Sequence, residues 1–188
     1  MIETICFAFA WAKIKNKYKL LPIFKHWSIY PVIFMMLLYV YLESMIWQGN
    51  YSLVEYANIF KGTYLFCFLI LSVHYNIMKI FFCSIPLVWL GSALNTIAIN
   101  ANFGKMPVFF SNSWATGYAK HDMFIEALKY GDFHIMGNEF TKMIPLCDTW
   151  DLGWCVMSPG DIIIRSFVFI IIYNSTKASN QIHIINKI

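Results

Sequence analysis

Apolar residues arrive along this chain in long runs, without the strict alternation of half-buried strands or the one-sided spacing of a soluble helix. The cleanest run, Ser28 to Gln48, reads SIYPVIFMMLLYVYLESMIWQ and is bracketed by Trp27 and Trp47. Twenty residues of helix rise about 30 Å, the thickness of a bilayer's hydrocarbon core. Indole rings favour the membrane–water interface, so two Trp at this separation mark both ends of one span. Pro31 falls in the first turn, where its missing N–H does little harm. A second apolar tract covers residues 57–99. As a single helix it would measure about 65 Å, twice the hydrocarbon thickness, so it must fold back. His74, Asn76 and Lys79 interrupt its middle and predict two spans, 57–73 and 80–99; Asn58 and Lys61 soften the start of the first.

The last span opens on Ser158-Pro159-Gly160-Asp161. Ser158 suits the N-cap and Pro159 the first helical position. Asp161 then stands where a carboxylate completes a capping box and favours the helix dipole. This predicts a helix over 159–175 and a tail over 176–188. Residues 1–14 carry a shorter apolar run, expected to span or to insert halfway. The fold class that follows is an all-α, polytopic membrane bundle of about five helices.

Composition agrees. Lys and Arg number 14 and Asp and Glu 10 among 188 residues, 13% in all. That is about half the charged share of an ordinary soluble domain. Residues of the set AVILMFWYC make up 59% and mean hydropathy is +0.57. A soluble fold of this size needs more charge to cover its surface. A soluble domain, a disordered chain and a nucleic-acid binder are excluded, and the lipid bilayer is the expected first partner. The excess of +4 reads as a topology signal. Lys13, Lys15, Lys17, Lys19 and Lys25, then Lys79, then Lys177 and Lys187 all fall on one side if the chain alternates through five spans. Cytoplasmic loops are enriched in Lys and Arg. The expectation is therefore a multi-pass protein of the bacterial inner membrane, N-terminus outside and C-terminus cytoplasmic. The positive charges follow the first apolar run, so that run reads as an uncleaved anchor.

Residues 100–158 have the only globular composition and are expected to form an external cap. Gly104 and Pro107 predict turns, Val108–Phe110 a short extended piece, and His121–Tyr130 an amphipathic helix closed by Gly131. Three stretches here carry a resemblance: Asn100-Ala-Asn102-Phe-Gly104-Lys-Met106-Pro107-Val108, Thr141 to Asp148, and Ser158-Pro-Gly160-Asp161. They resemble an uncharacterised family of small prokaryotic integral-membrane proteins with an N-x-G-x-M-P-V stretch and an S-x-G-D start to the last helix. Pro159 here replaces an apolar residue. The resemblance implies an inner-membrane location and brings no catalytic assignment.

Several constellations are candidates for chemistry. His121, Asp122, Asp132 and His134 offer ligand types suited to a divalent metal, without an established spacing. They read equally as surface and turn residues, and no cofactor is indicated. Cys147 or Cys155 with His121 or His134 could supply a thiolate–imidazole pair for a cysteine hydrolase. The same two cysteines, with seven residues between them, could form a disulfide or remain thiols. Arg165 is an ionisable group inside a span. It is expected either to pair with Asp161 one turn earlier or to bind an anion such as a lipid or peptide carboxylate. Arg165, Asp161, Asp148 and Asn102 are the candidate binding residues. No catalytic set is complete. The expected function is accordingly that of a non-enzymatic membrane component binding a partner protein, peptide or lipid through its cap. A membrane-embedded hydrolase or peptide-processing enzyme is the alternative and a transporter subunit the third reading, with a homo-oligomer compatible with each.

Overall fold

The computed structural model describes residues 1–185, among which helix predominates. Three of the described helical stretches are long and apolar enough to cross a membrane: Trp27–Trp47, Met78–Ala101 and Pro159–His183. Gly62–His74 is a shorter apolar helix. Lys187 lies outside the described residues, and the side chains of Asn58 and Lys61 lie outside those described. The chain divides into two compact units.

The first unit gathers Met1–Tyr39, Ile59–Leu87 and the chain from Arg165 onward. Its elements are α1 (Ile2–Asn16), α2 (Leu21–Phe24), the first half of α3 (Tyr30–Trp47), most of α4 (Ala57–His74), the start of α5 (Met78–Ala101), and the long C-terminal helix. The fold-back between α4 and α5 falls where the polar interruption predicts it. Asn76 takes a left-handed φ of 53° there, a conformation that Asn tolerates better than most residues. The core is aliphatic and aromatic. Phe167 meets the rings of Phe68 and Phe81 edge-on at centroid distances of 6.0 and 5.6 Å. Leu71, Ile171, Ile172, Val168 and Val32 are buried in the same unit.

The C-terminal helix runs Pro159–Ile185, beyond the predicted end at 175. Ser175, Thr176, Ser179 and Asn180 lie on one face of it and are buried. Thr176 and Ser179 return their hydroxyls to the carbonyls of Ile172 and Thr176 at 2.8 and 2.9 Å. Asn180 grips the backbone of Lys19, accepting from its N–H and donating to its C=O, both at 2.8 Å. Short polar side chains satisfied in this way pack as well as apolar ones, and the helix continues through the stretch predicted as a tail.

The second unit comprises Val40–Asn58 and Val88–Ile164. It departs from the all-α expectation, because the segment after α5 holds short strands. The first, β1 (Met106–Val108), is fully buried and pairs in parallel with β2 (His134–Met136), Met106 opposite His134 and Val108 opposite Met136. On its other edge Phe109 N–H donates to the Asp148 carbonyl at 2.8 Å and Asp148 N–H to the Pro107 carbonyl at 3.1 Å. Pro107 has no N–H, yet its carbonyl still finds a partner. A second pair joins β3 (Trp150–Asp151) to β4 (Val156–Met157), antiparallel. Buried backbone needs such partners, and segments of two or three residues, those pairing with β1 from distant parts of the chain, supply them here. Between them lie α6 (Asn112–Thr116) and α7 (Met123–Leu128). The latter is shorter than the expected 121–130 and is followed by Gly131 at φ 78°. The C-terminal helix, numbered α8, contributes its first turns to this unit. There α5 and α8 meet backbone to backbone. A Cβ on Gly91 would overlap the Gly160 carbonyl, and one on Gly160 would overlap the Asn95 side chain and the Gly91 carbonyl.

Candidate functional site

The start of α8 is built as its sequence predicts. Ser158 Oγ accepts from Asp161 N–H at 3.0 Å, and Ser158 N–H donates to Asp161 Oδ2 at 3.2 Å, a reciprocal capping box. Asn95 of α5 completes it. Its Oδ1 accepts from the Ser158 hydroxyl at 2.8 Å and its Nδ2 donates to Asp161 Oδ1 at 3.0 Å. Sequence reasoning passed over Asn95, although a carboxamide deep in an apolar helix is itself a signal that a polar partner faces it.

Asp161 is thus held by α5 and by its own cap. The expected Arg165–Asp161 pair gives way to another: Arg165 NH1 stands 3.0 Å from Glu3 Oε2 on α1. Arg165 belongs to the first unit and Asp161 to the second, so the two candidate binding residues serve different structures. Neutralisation by a carboxylate also leaves the guanidinium less available to an external anion. Glu43, near the end of α3, accepts from the Tyr118 hydroxyl at 3.2 Å. Burial first, then the charge of Glu43, pushes the Tyr118 phenol well above its ordinary pKa.

The candidate acid–base and nucleophilic groups lie between residues 102 and 155. His134 Nδ1 is 2.6 Å from Asp132 Oδ1, and the same oxygen accepts from His134 N–H at 3.2 Å. The other ring nitrogen, Nε2, is 3.7 Å from Asp148 Oδ2, so the imidazole stands between two carboxylates. Burial works to raise the pKa of Asp132, but the hydrogen bond and charge of His134 outweigh it and hold the carboxyl below its usual range. His121 is elsewhere, against the ring of Trp114 with centroids 5.1 Å apart, and Asp122 is exposed beside it. No group of three or more His, Cys, Asp or Glu among the described residues is arranged to hold a metal ion.

Cys147 and Cys155 are both buried and are not bridged to one another. Cys147 Sγ faces the carbonyls of Met143 and Lys142 at 3.4 and 3.6 Å. Burial, then the charge of Asp148, pushes this thiol up. A catalytic thiolate requires the opposite shift. Asn102, the other candidate binder, is buried as a clamp: Nδ2 donates to the carbonyls of Ala98 and Lys142, and Oδ1 accepts from Lys142 N–H, at 2.8, 2.9 and 2.9 Å. Asp151, which no motif marked, accepts from Ser111, Ser113 and Gly153.

Residues 20–173 match the model of DUF5317, a family of unknown function. The chain belongs to that family. Neither a curated protein nor a solved structure matches it. The DUF5317 match spans the Asn102–Val108 stretch and the Ser158–Asp161 start of α8, and both have structural work in this fold: one builds the clamp and β1, the other the capping box.

The surface of the same segment is mixed, and several large apolar side chains are part of it. Phe103 is 93% exposed, Phe140 81% and Met143 55%. Lys142, held to Asn102 through its backbone, places its ammonium 5.9 Å from the centre of the Phe103 ring.

Proposed function

We propose that this member of DUF5317 is a non-enzymatic component of the bacterial inner membrane that binds a partner protein, peptide or lipid through residues 100–158. Five helices cross the bilayer in this reading, with the N-terminus outside and residues 100–158 external. The lysine distribution supports the topology, and the three long apolar helices with the shorter Gly62–His74 support multiple crossings. One observation carries the function: Asn102, His134, Asp148 and Asp151 are engaged in holding the fold of the 100–158 segment, while Phe103, Phe140 and Met143 are exposed, Phe103 beside the Lys142 ammonium. An exposed apolar edge of this kind marks a binding surface. The alternative, a hydrolase, draws its support from the placement of His134 between Asp132 and Asp148. The two readings separate in one assay. Purified protein in lipid nanodiscs, given phospholipid and peptide substrates, is expected to release no product. Turnover that disappears in His134→Ala or Cys147→Ala would establish the hydrolase instead.

A further inference from the structure

An open groove of about 360 Å³ lies in the first unit, lined by Lys79, Ile80, Cys83, Ser84, Leu87 and Ile170. Its floor asks for nothing polar, because the Ser84 hydroxyl is satisfied by the carbonyls of Ile80 and Phe81 at 2.8 and 2.9 Å. The lining descends α5 from its second residue. Lys79 therefore stands where a membrane-crossing helix begins, and Leu87 lies about 12 Å further along its axis, most of the depth of one leaflet. The first turn of α5 adds the positive end of a 24-residue helix to the ammonium. A cation at the rim above a shallow, open apolar groove is complementary to a phospholipid of net negative headgroup with an acyl chain lying along the groove. A zwitterionic lipid brings its own cation to the same rim and loses that advantage.

We propose that this groove is a seat for an anionic phospholipid, with the phosphate at Lys79 and one acyl chain along Ile80, Cys83, Leu87 and Ile170. Cys83 is an exposed thiol within the lining and Cys6 an exposed thiol on α1, which supplies both a reporter and an internal reference. The full chain in maltoside micelles is titrated with phosphatidylglycerol or phosphatidylcholine. Alkylation of each cysteine by N-ethylmaleimide is then followed by peptide mass spectrometry. Phosphatidylglycerol is expected to slow Cys83 relative to Cys6 by about fivefold more than phosphatidylcholine does, the contribution of one cation near an anionic headgroup. Lys79→Gln is expected to erase the difference between the two lipids. Equal protection by both lipids, protection by neither, selectivity that survives Lys79→Gln, or a Cys83 already unreactive without lipid because a second copy covers it would each overturn the proposal.

Discussion

Replacing Asp151 by asparagine takes one acceptor away from a cluster of five donors. Asp151 Oδ2 accepts from the backbone N–H groups of Ser111 and Ser113 at 2.7 and 2.8 Å and, at 3.4 Å, from the Ser111 hydroxyl. Oδ1 accepts from the Ser113 hydroxyl at 2.6 Å and from Gly153 N–H at 2.7 Å. The less costly amide orientation puts its NH2 at Oδ1, where the Ser113 hydroxyl can turn to accept but the buried Gly153 N–H loses its partner. That orphan costs about 1–3 kcal/mol, and the two short backbone bonds that survive at Oδ2 each lose about 1 kcal/mol when the acceptor is no longer charged. The sum is about 3 kcal/mol or more, roughly a hundredfold or more in an opening equilibrium. Hydrogen exchange over residues 111–116 and 150–157, in nanodiscs, reads that local opening directly. A change below about tenfold, near 1.4 kcal/mol, would refute the reasoning. The pH dependence is a second arm. Burial works to raise this carboxyl, but the donors from Ser113, Ser111 and Gly153 outweigh it and hold it below the usual range. A depressed folded-state pKa contributes stability that is complete above the unfolded value of about 3.9 and fades as pH falls through the folded one. Wild-type protection, corrected for intrinsic exchange, is therefore expected to hold from pH 7 to about 5 and to fall below about 4, with no such fall in Asp151→Asn.

Gly160→Ala and Gly91→Ala each force a Cβ into the facing helix backbone and are expected to cost about 1–3 kcal/mol or more, read as a lowered midpoint of thermal unfolding in micelles. Unchanged midpoints would mean that the crossing of α5 and α8 is looser than drawn. Glu3→Gln leaves the Arg165 guanidinium without its carboxylate and is expected to destabilise by about 1–3 kcal/mol, whereas Arg165→Met leaves Glu3 paired with the Met1 ammonium at 2.8 Å and is expected to cost less; equal losses from the two would deny this reading of the pair. An impermeant amine reagent applied to intact cells is expected to modify Lys142 and spare Lys25 and Lys79, and the reverse pattern would invert the proposed topology.

Helix positions were legible because hydrocarbon thickness and Trp placement constrain them strongly. The bracket from Trp27 to Trp47 and the polar break at His74–Lys79 each coincide with helix ends in the structure. The capping box at Ser158 and Asp161 was legible because it is local, four residues closing on themselves. The strands were not. β1 draws its partners from His134–Met136 and from Asp148, and nothing in a three-residue segment announces a neighbour some thirty or forty positions away. The partner of Arg165 was missed for the same reason. The i,i+4 rule points to Asp161, but Glu3 arrives from the other end of the chain, and Asp161 is already taken by Ser158 and Asn95. The stretch after Tyr173 looked polar enough to be a tail because hydropathy counts Ser, Thr and Asn as solvent-seeking. It cannot register that Thr176, Ser179 and Asn180 are satisfied by carbonyls within reach.

The same accounting bears on why residues 100–158 looked reactive. Fewer than sixty residues build a small hydrophobic core, here Ala98, Met106 and Cys147 with Ile99, Phe109, Phe133 and Leu146 around them. Segments of that size are commonly stapled by disulfides or metals, and here Cys147 and Cys155 stay unbridged. Buried polar bonds take over that role: Asn102 on the backbone of Lys142, Asp151 on the N-terminal turn of α6, His134 against Asp132 and Asp148. Such groups are conspicuous in a sequence for the same reason that catalytic groups are, since both are polar residues amid apolar ones. They differ in what they hold. A nucleophile must keep its reactive atom for a substrate, whereas Cys147 turns its sulfur to two backbone carbonyls; His134 holds Nδ1 on Asp132 and has Nε2 3.7 Å from Asp148. Engagement of this kind gives Cys147 a structural role, and in the proposed reading the exposed Phe103, Phe140 and Met143 belong to the surface offered to a partner.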